Sequence, residues 1–375
     1  MNEDKSSRYH RLKRRSAVAS GVLSAGLLIL LLATGASLAL RDAALSVSGG
    51  SPGGLATVAV YVLALALLQE AMALPVALYR SFLLERRFGL SSEGLGAWLT
   101  DHAKASALGL ALALAGALFV YLSLAAWPAW WWLISAAVFM AAMGGLATIA
   151  PLVLLPVFYT FTPLERESLR ARLIALSKQA GVPVLDVYEW GLGHKTRRAN
   201  AALVGTGATR RIIVSDTLLA EYSDDEIEVI LAHELAHHVH KDILKGLAVE
   251  FVLLLASFRV ASAALTVGWQ RAGLESPADV AGLPLMLLAG GATVLVATPL
   301  VNALSRLHER RADQFALRLT RQPAAFTSAM RRLAAQNLAE ERPSRAALWL
   351  FHTHPPIEER IEAAREQKRE AEARS

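Results

Sequence analysis

Six stretches of this chain are too long and too apolar to be core helices of a soluble protein. They run over residues 17–40, 55–79, 105–126, 130–159, 246–269 and 282–304. Each reaches the roughly 20 residues that an α-helix needs to cross a hydrocarbon core about 30 Å thick. Composition points the same way: 54% of residues are hydrophobic, 19% are charged and the mean hydropathy is +0.39, which excludes an ordinary soluble enzyme. The chain is read as an integral, multi-pass membrane protein. Residues 17–40 carry no charge and follow the basic run Arg8, Arg11, Lys13, Arg14 and Arg15. Their full spanning length favours a retained anchor over a cleaved signal peptide.

Placing the N-terminus in the cytoplasm puts Arg80, Arg86, Arg87, Lys104, residues 160–245 and the C-terminal tail on that same side. The opposite loops then hold only Arg41 and Arg271. That asymmetry is what the positive-inside bias demands, so both ends are expected inside. The net charge of +6 is spent beside apolar segments and gives no nucleic-acid footprint, so no nucleic-acid partner is expected. Four parts follow: 1–159 with four spans, 160–245 as a cytoplasmic segment, 246–304 with two further spans, and 305–375 as a C-terminal segment. Polar residues inside the spans, Gln69, Glu70, Glu250, Arg259 and Asn302, either face an interior cavity or lie near the bilayer edges and snorkel.

The cytoplasmic segment has mixed periodicity. Leu164, Leu169, Leu173, Ile174 and Leu176 recur at helical spacing and stop at Gly181; residues 184–190, 201–204 and 212–214 are short β-type runs that suggest a small sheet. Ser223-Asp224-Asp225-Glu226 reads as a capping box that starts a helix running through Lys241. The tail from residue 357 alternates acids and arginines like a solvated helix.

Inside the capped helix stands His233-Glu234-Leu235-Ala236-His237. Histidines at i and i+4 share a helical face and can present imidazole nitrogens to one ion, and Glu234 beside them can take a proton from an attacking water. With no cysteine in the chain, a third ligand must come from His238, His240, His308, His352, His354 or an acid. Glu309 is the best of these, because Glu309 and Asp313 lie at i,i+4 in SRLHERRAD. One carboxylate can then meet the metal while the other receives an imidazole N–H. A solvated charge cluster is the competing reading of that run.

These residues resemble the type 1 CAAX prenyl protease family of integral-membrane zinc endopeptidases and, more distantly, the HtpX-like membrane proteases. The likeness extends from about Leu74 to Ile361. It includes LPVALYRSFLLERRFGLS, WLTDHAK, TPLE, NAALVG, RRIIVSDTLL, HELAH, SRLHERRAD and HTHPPIEERI. It implies a mainly α-helical polytopic membrane protein with a small α/β zinc-metallopeptidase (gluzincin-like) catalytic domain. It also implies Zn2+ held by His233, His237 and Glu309, Glu234 as general base, and Asp313 behind a ligand histidine. Asn200 and Ala201 would begin an edge strand that pairs with substrate, His354 would donate to the developing oxyanion, and Arg360 would hold the substrate's C-terminal end. Two features depart from the eukaryotic pattern: six spans are counted rather than seven around a hollow chamber, and residues 194–199 lack the usual Ser-Arg-Ser-x-His run.

The expected partners are the lipid bilayer and membrane or lipidated protein substrates. Absence of cysteine, preference for arginine over lysine and abundance of Ala and Leu fit a GC-rich bacterial source, hence an inner-membrane location where prenylation is not expected. Membrane-protein quality control or processing is therefore ranked ahead of removal of a C-terminal tripeptide from prenylated proteins. A non-catalytic scaffold with structural zinc is disfavoured by Glu234, which such a site would not need. A transporter is weaker still, because no paired broken helices occur in matching halves.

Overall fold

The computed structural model describes residues 4–205 and 207–373. In chain order the helices are α1 (Lys5–Ala33), α2 (Ala36–Ser48), α3 (Leu55–Ala77), which continues through a π-turn into α4 (Leu84–Arg87), α5 (Leu95–Ala126), α6 (Trp131–Val153) and the short α7 (Leu155–Phe158). Strand β1 (Phe161–Pro163), α8 (Glu167–Gln179), β2 (Asp186–Trp190), β3 (Ala201–Val204), β4 (Arg211–Ser215), α9 (Asp216–Glu221) and α10 (Asp224–Val239) follow. The chain then returns through α11 (Asp242–Gly268) and α12 (Leu283–Thr320), and finishes with α13 (Pro323–Gln336), α14 (Arg345–Phe351) and α15 (Ile357–Glu372). Among the described residues six helices are long and apolar enough to cross a membrane, and each overlaps one of the six expected spans.

Their ends differ from expectation in ways that matter. Residues 17–40 do not form one rod: Gly35 takes a left-handed conformation (φ +72°), so α1 stops and α2 leaves at a new angle. The stretch 130–159 is interrupted after Val153, ahead of Pro156 in the first turn of α7. The last two membrane helices do the opposite and overrun their apolar segments. The helix α11 begins at Asp242, and α12 continues without a break from Leu283 to Thr320, past the internal Pro299. The run SRLHERRAD is thus the helical extension of a membrane span beyond its apolar segment.

The intramembrane polar residues divide between both possibilities. Gln69 lines two cavities of about 510 and 440 Å3 between the spans, and Glu70 lines the second and contacts His102 at 2.6 Å. Asn302 is buried and donates to the Trp349 carbonyl. Glu250 and Arg259 are exposed on the outer surface, with the Arg259 guanidinium 5.8 Å from the ring centre of Trp132.

The sheet has the order β1-β2-β4-β3, with β2 and β4 parallel and the outer pairings antiparallel. The strand β1 was not expected; three residues ending in proline carry no usable alternation. One face of the sheet packs on α10, whose Ile227, Leu231 and Leu235 are fully buried with Ile212, Val214, Leu169 and Phe326. Among the described residues the edge strand β3 pairs with β4 alone, leaving its other side without a ladder partner.

At the opposite end of the bundle, Arg41 on α2 meets Asp279, whose side chain also accepts from the amides of Glu275 and Ala281. Asp279 is completely buried. Arg41 also bonds Asp42, so loss of the Asp279 side chain leaves chiefly the Glu275 and Ala281 amides without their acceptor, at a cost of about 1–3 kcal/mol. Asp279→Ala should therefore lower thermal stability in detergent by that amount while leaving metal content per folded molecule unchanged, measured by thermal unfolding and metal analysis.

Candidate metal centre and active site

The site is assembled by two helices that arrive from different parts of the fold. The helix α10 starts on a complete capping box: the Ser223 hydroxyl accepts from the Glu226 amide, and the Glu226 carboxylate accepts from the Ser223 amide. Its apolar face locks it into the core, which fixes the rotation that turns His233 and His237 toward α12. Their rings lie 5.0 Å apart, nearly perpendicular. From α12, Glu309 projects its two oxygens at the pair: Oε2 lies 3.3 Å from His233 Nε2, and Oε1 lies 3.4 Å from His237 Nε2. One ligand atom from each residue falls within 4.8 Å of the others, the only such group of three among the described residues.

The opposite nitrogens are also occupied. His233 Nδ1 lies 2.9 Å from Asp313 Oδ1, one helical turn after Glu309. His237 Nδ1 lies 3.1 Å from Asp242 Oδ2. Hydrogen bonds from both Nδ1–H groups leave the Nε2 lone pairs aimed at one point, the usual outer arrangement of histidine ligands. Sequence reading missed Asp242. The chain turns there because Lys241 is left-handed (φ +56°), which lets the first residue of α11 reach back to the last turn of α10. An acid five residues beyond the second histidine was the available signal, but it needs that turn to be informative.

Arg360, from α15, holds Asp313 with two bonds, Nε to Oδ2 at 2.8 Å and Nη2 to Oδ1 at 2.6 Å. His354 is well exposed, and its Nδ1 lies 2.7 Å from Glu309 Oε2. That contact lacks hydrogen-bond alignment, so the buried Oε2 has no hydrogen-bond partner among the described residues. The other histidines considered do not join the group: His352 pairs with Glu340 at 3.2 Å, His240 sits edge-on to Phe315, and His308 Nε2 lies 3.9 Å from Asp242.

Electrostatics follow from this crowding. Burial pulls His233 down, but the adjacent Asp313 and Glu309 carboxylates outweigh it and raise its pKa to about 9. His237 is raised for the same reason by Glu309 and Asp242, against burial. Burial raises Glu234, partly offset by the two histidines. The donor set fits a divalent cation: two imidazoles oriented through Nε2, a carboxylate with an unsatisfied buried oxygen, and a pair of protons for the cation to displace. A cavity of about 250 Å3 adjoins these residues and is lined by Asn200, Ala201, Glu234, His354 and Arg360. The metal group, the cavity lining and the Asp313 contact thus bring together His233, His237, Glu309, Glu234, Asp313, Asn200, Ala201, His354 and Arg360, and leave out His240, His308 and His352. The Asn200 carbonyl accepts from the Ser215 amide and the Asn200 amide donates to the Ser215 hydroxyl, which fixes the start of β3 at the cavity rim.

Comparison with known proteins matches this arrangement in two blocks. Residues 2–160 match the model of the CAAX prenyl protease N-terminal region, described as five membrane helices, and residues 163–368 match peptidase family M48. The uncharacterized metalloprotease YhfN of Bacillus subtilis is 34% identical over 64% of this chain and 57% of its own length. The probable CAAX prenyl protease 1 of Schizosaccharomyces pombe is 28% identical over 81% of this chain and 65% of its own. This chain therefore spans under two thirds of the length of either relative. The crystal structure of S. mikatae Ste24p shares the fold, with a TM-score of 0.86 at 20% identity over 96% of this chain and 88% of that one. A metal-ligand set on two helices, a mostly helical membrane body and a family match over most of the polar segment make one conclusion: the chain belongs to peptidase family M48.

Proposed function

We propose that this protein is an integral-membrane zinc endopeptidase that hydrolyses peptide bonds of membrane-associated proteins, in quality control or processing. The observation that carries the reading is the convergence of His233, His237 and Glu309 beside a half-buried Glu234, in a cavity bounded by a strand edge with no ladder partner among the described residues. His233 and His237 would hold the ion through Nε2, and Glu309 through its carboxylate. When bound, zinc supplies Lewis acidity toward the scissile carbonyl and toward water. Glu234 accepts the proton of the attacking water and delivers it to the leaving amine; its burial favours holding that proton between the two steps. Asp313 and Asp242 keep the imidazoles in the tautomer that presents Nε2.

Asn200 and Ala201 lead into the open side of β3, where an extended substrate can add a strand and lie across the cavity. His354 turns from Glu309 to donate to the oxyanion as it forms. Arg360, with Nε and Nη2 committed to Asp313, has Nη1 left for the carboxylate end of a substrate. In this reading both termini and the catalytic segment face the cytoplasm, supported by the arginine and lysine asymmetry of the loops, and the membrane is a bacterial inner one, supported by the cysteine-free, arginine-rich composition. The second reading, removal of the last three residues from a prenylated C-terminal Cys-a-a-X, is supported by the N-terminal family match and by the S. pombe relative's name.

Two experiments bear on these assignments. Glu309→Ala should purify without tightly bound zinc. Asp242→Asn, which weakens the hydrogen bond to His237, should bind zinc about 10- to 100-fold more weakly. Competition with a fluorescent chelator measures both, and parental affinity in either variant would refute the corresponding assignment. The two substrate readings separate on a pair of peptides identical except for a prenyl group on the Cys of Cys-a-a-X. Comparable zinc-dependent cleavage of both is expected for general proteolysis, and strong preference for the prenylated peptide would establish the processing role.

A further inference from the structure

The catalytic cavity has a wall that the mechanism does not use. Opposite the start of β3 it is formed by the end of α13, through Met330, Leu333 and Asn337. Asn337 is the cap residue of that helix, and its side-chain Oδ1 is buried with no hydrogen-bond partner among the described residues. A buried amide oxygen left unpaired costs on the order of 1–3 kcal/mol, so a group held in this state calls for a ligand or water to complete it.

The position of Asn337 is heavily constrained. The helix α13 ends in a Schellman-type turn, with the Ala339 amide bonded to the Ala334 carbonyl and the Leu338 amide to that of Ala335. The left-handed residue of such a turn is usually glycine, but here it is Leu338 (φ +49°). The strain is offset by docking: Leu338 packs on the cluster of Tyr9, Leu84, Phe88 and Leu90. Its carbonyl accepts from Ser6 Oγ at 3.2 Å and from His10 Nε2 at 2.7 Å, both on the cytoplasmic end of α1. Two residues on, Glu340 forms a two-bonded ion pair with Arg14. On the other flank, Gln336 donates to the Arg197 carbonyl at 2.9 Å, tying this wall to the lead-in of β3. The first helix therefore fixes the wall, and the wall keeps a set relation to the strand edge.

We propose that Asn337 is a substrate-contact residue: its Oδ1 accepts a backbone N–H of the bound peptide on the side facing away from β3, next to an apolar subsite floored by Met330 and Leu333. The ligand class is an extended peptide with an apolar side chain at the position that enters this subsite. Strand addition to β3 engages one edge of such a peptide, and Asn337 engages the other. The inference rests on the peptidase reading, yet it concerns binding and can be tested without turnover.

The test uses full-length protein in detergent, freed of metal, and fluorescence anisotropy with a labelled leucine-rich peptide. A series of peptides methylated at one backbone nitrogen at a time accompanies it. The parent should bind, and Asn337→Leu, close in size but unable to accept, should bind about tenfold more weakly. One methylated position should weaken binding to the parent but add no further penalty in Asn337→Leu, whereas positions facing β3 should be penalised equally in both. Asn337→Ala provides the same comparison if the leucine variant does not fold. An unchanged dissociation constant, equal penalties at every position, or no peptide binding by the parent would each overturn the proposal. Cleavage of the unmodified peptide by the zinc-loaded parent is scored separately, so failure of the peptidase reading is visible in its own arm.

Discussion

The meeting of Glu309 with two imidazoles joins the membrane body to the catalytic core, and most of the architecture can be traced to it. Glu309 sits on a helix that leaves the bilayer and does not stop, so its carboxylate is carried by the same rigid rod that spans the membrane. The histidines sit on α10, which is locked by the sheet and by α13. Neither element can supply the three-atom group alone. A site built this way stands at the end of a span by construction, close to where a membrane-bound chain emerges.

The same meeting creates an electrostatic demand. Glu234, Glu309, Asp313 and Asp242 place four carboxylates around two histidines, with Arg360 and Lys245 as the nearby cations. That imbalance favours protons on the imidazoles, and the Asp313 and Glu309 carboxylates raise His233 to about 9 against its burial. A divalent cation relieves it equally well and displaces those protons, so metal binding and proton release are two sides of one balance. Arg360 contributes by holding Asp313 from behind, where its charge stabilises the carboxylate without reaching the point on which the Nε2 atoms converge.

Much of this was legible in the sequence because it is periodic. Among the described residues each of the six apolar runs of spanning length holds one long apolar helix, the capping box marks the start of α10, and i,i+4 spacing makes His233/His237 and Glu309/Asp313 facing pairs. What escaped depends on where helices bend or refuse to end. A left-handed Lys241 makes Asp242 a partner of His237, and Gly35 splits the first apolar run. The basic residues before the first span read as topology signals, whereas Lys13 and Arg14 also form ion pairs with Glu85 and Glu340. Those contacts join residues more than seventy positions apart, beyond the reach of any local pattern. The expected strands at 201–204 and 212–214 appear because β-branched and apolar runs between turns are local signals. The three residues of β1 are too few to carry one.

The most direct measurement compares zinc content and peptide cleavage of the purified parent with those of Glu234→Ala. The account predicts parental zinc in the variant, because Glu234 is not among the ligands, together with cleavage reduced by at least a hundredfold, the scale on which a positioned acid–base group contributes. Cleavage at the parental rate in a variant that retains zinc would contradict the account at its centre.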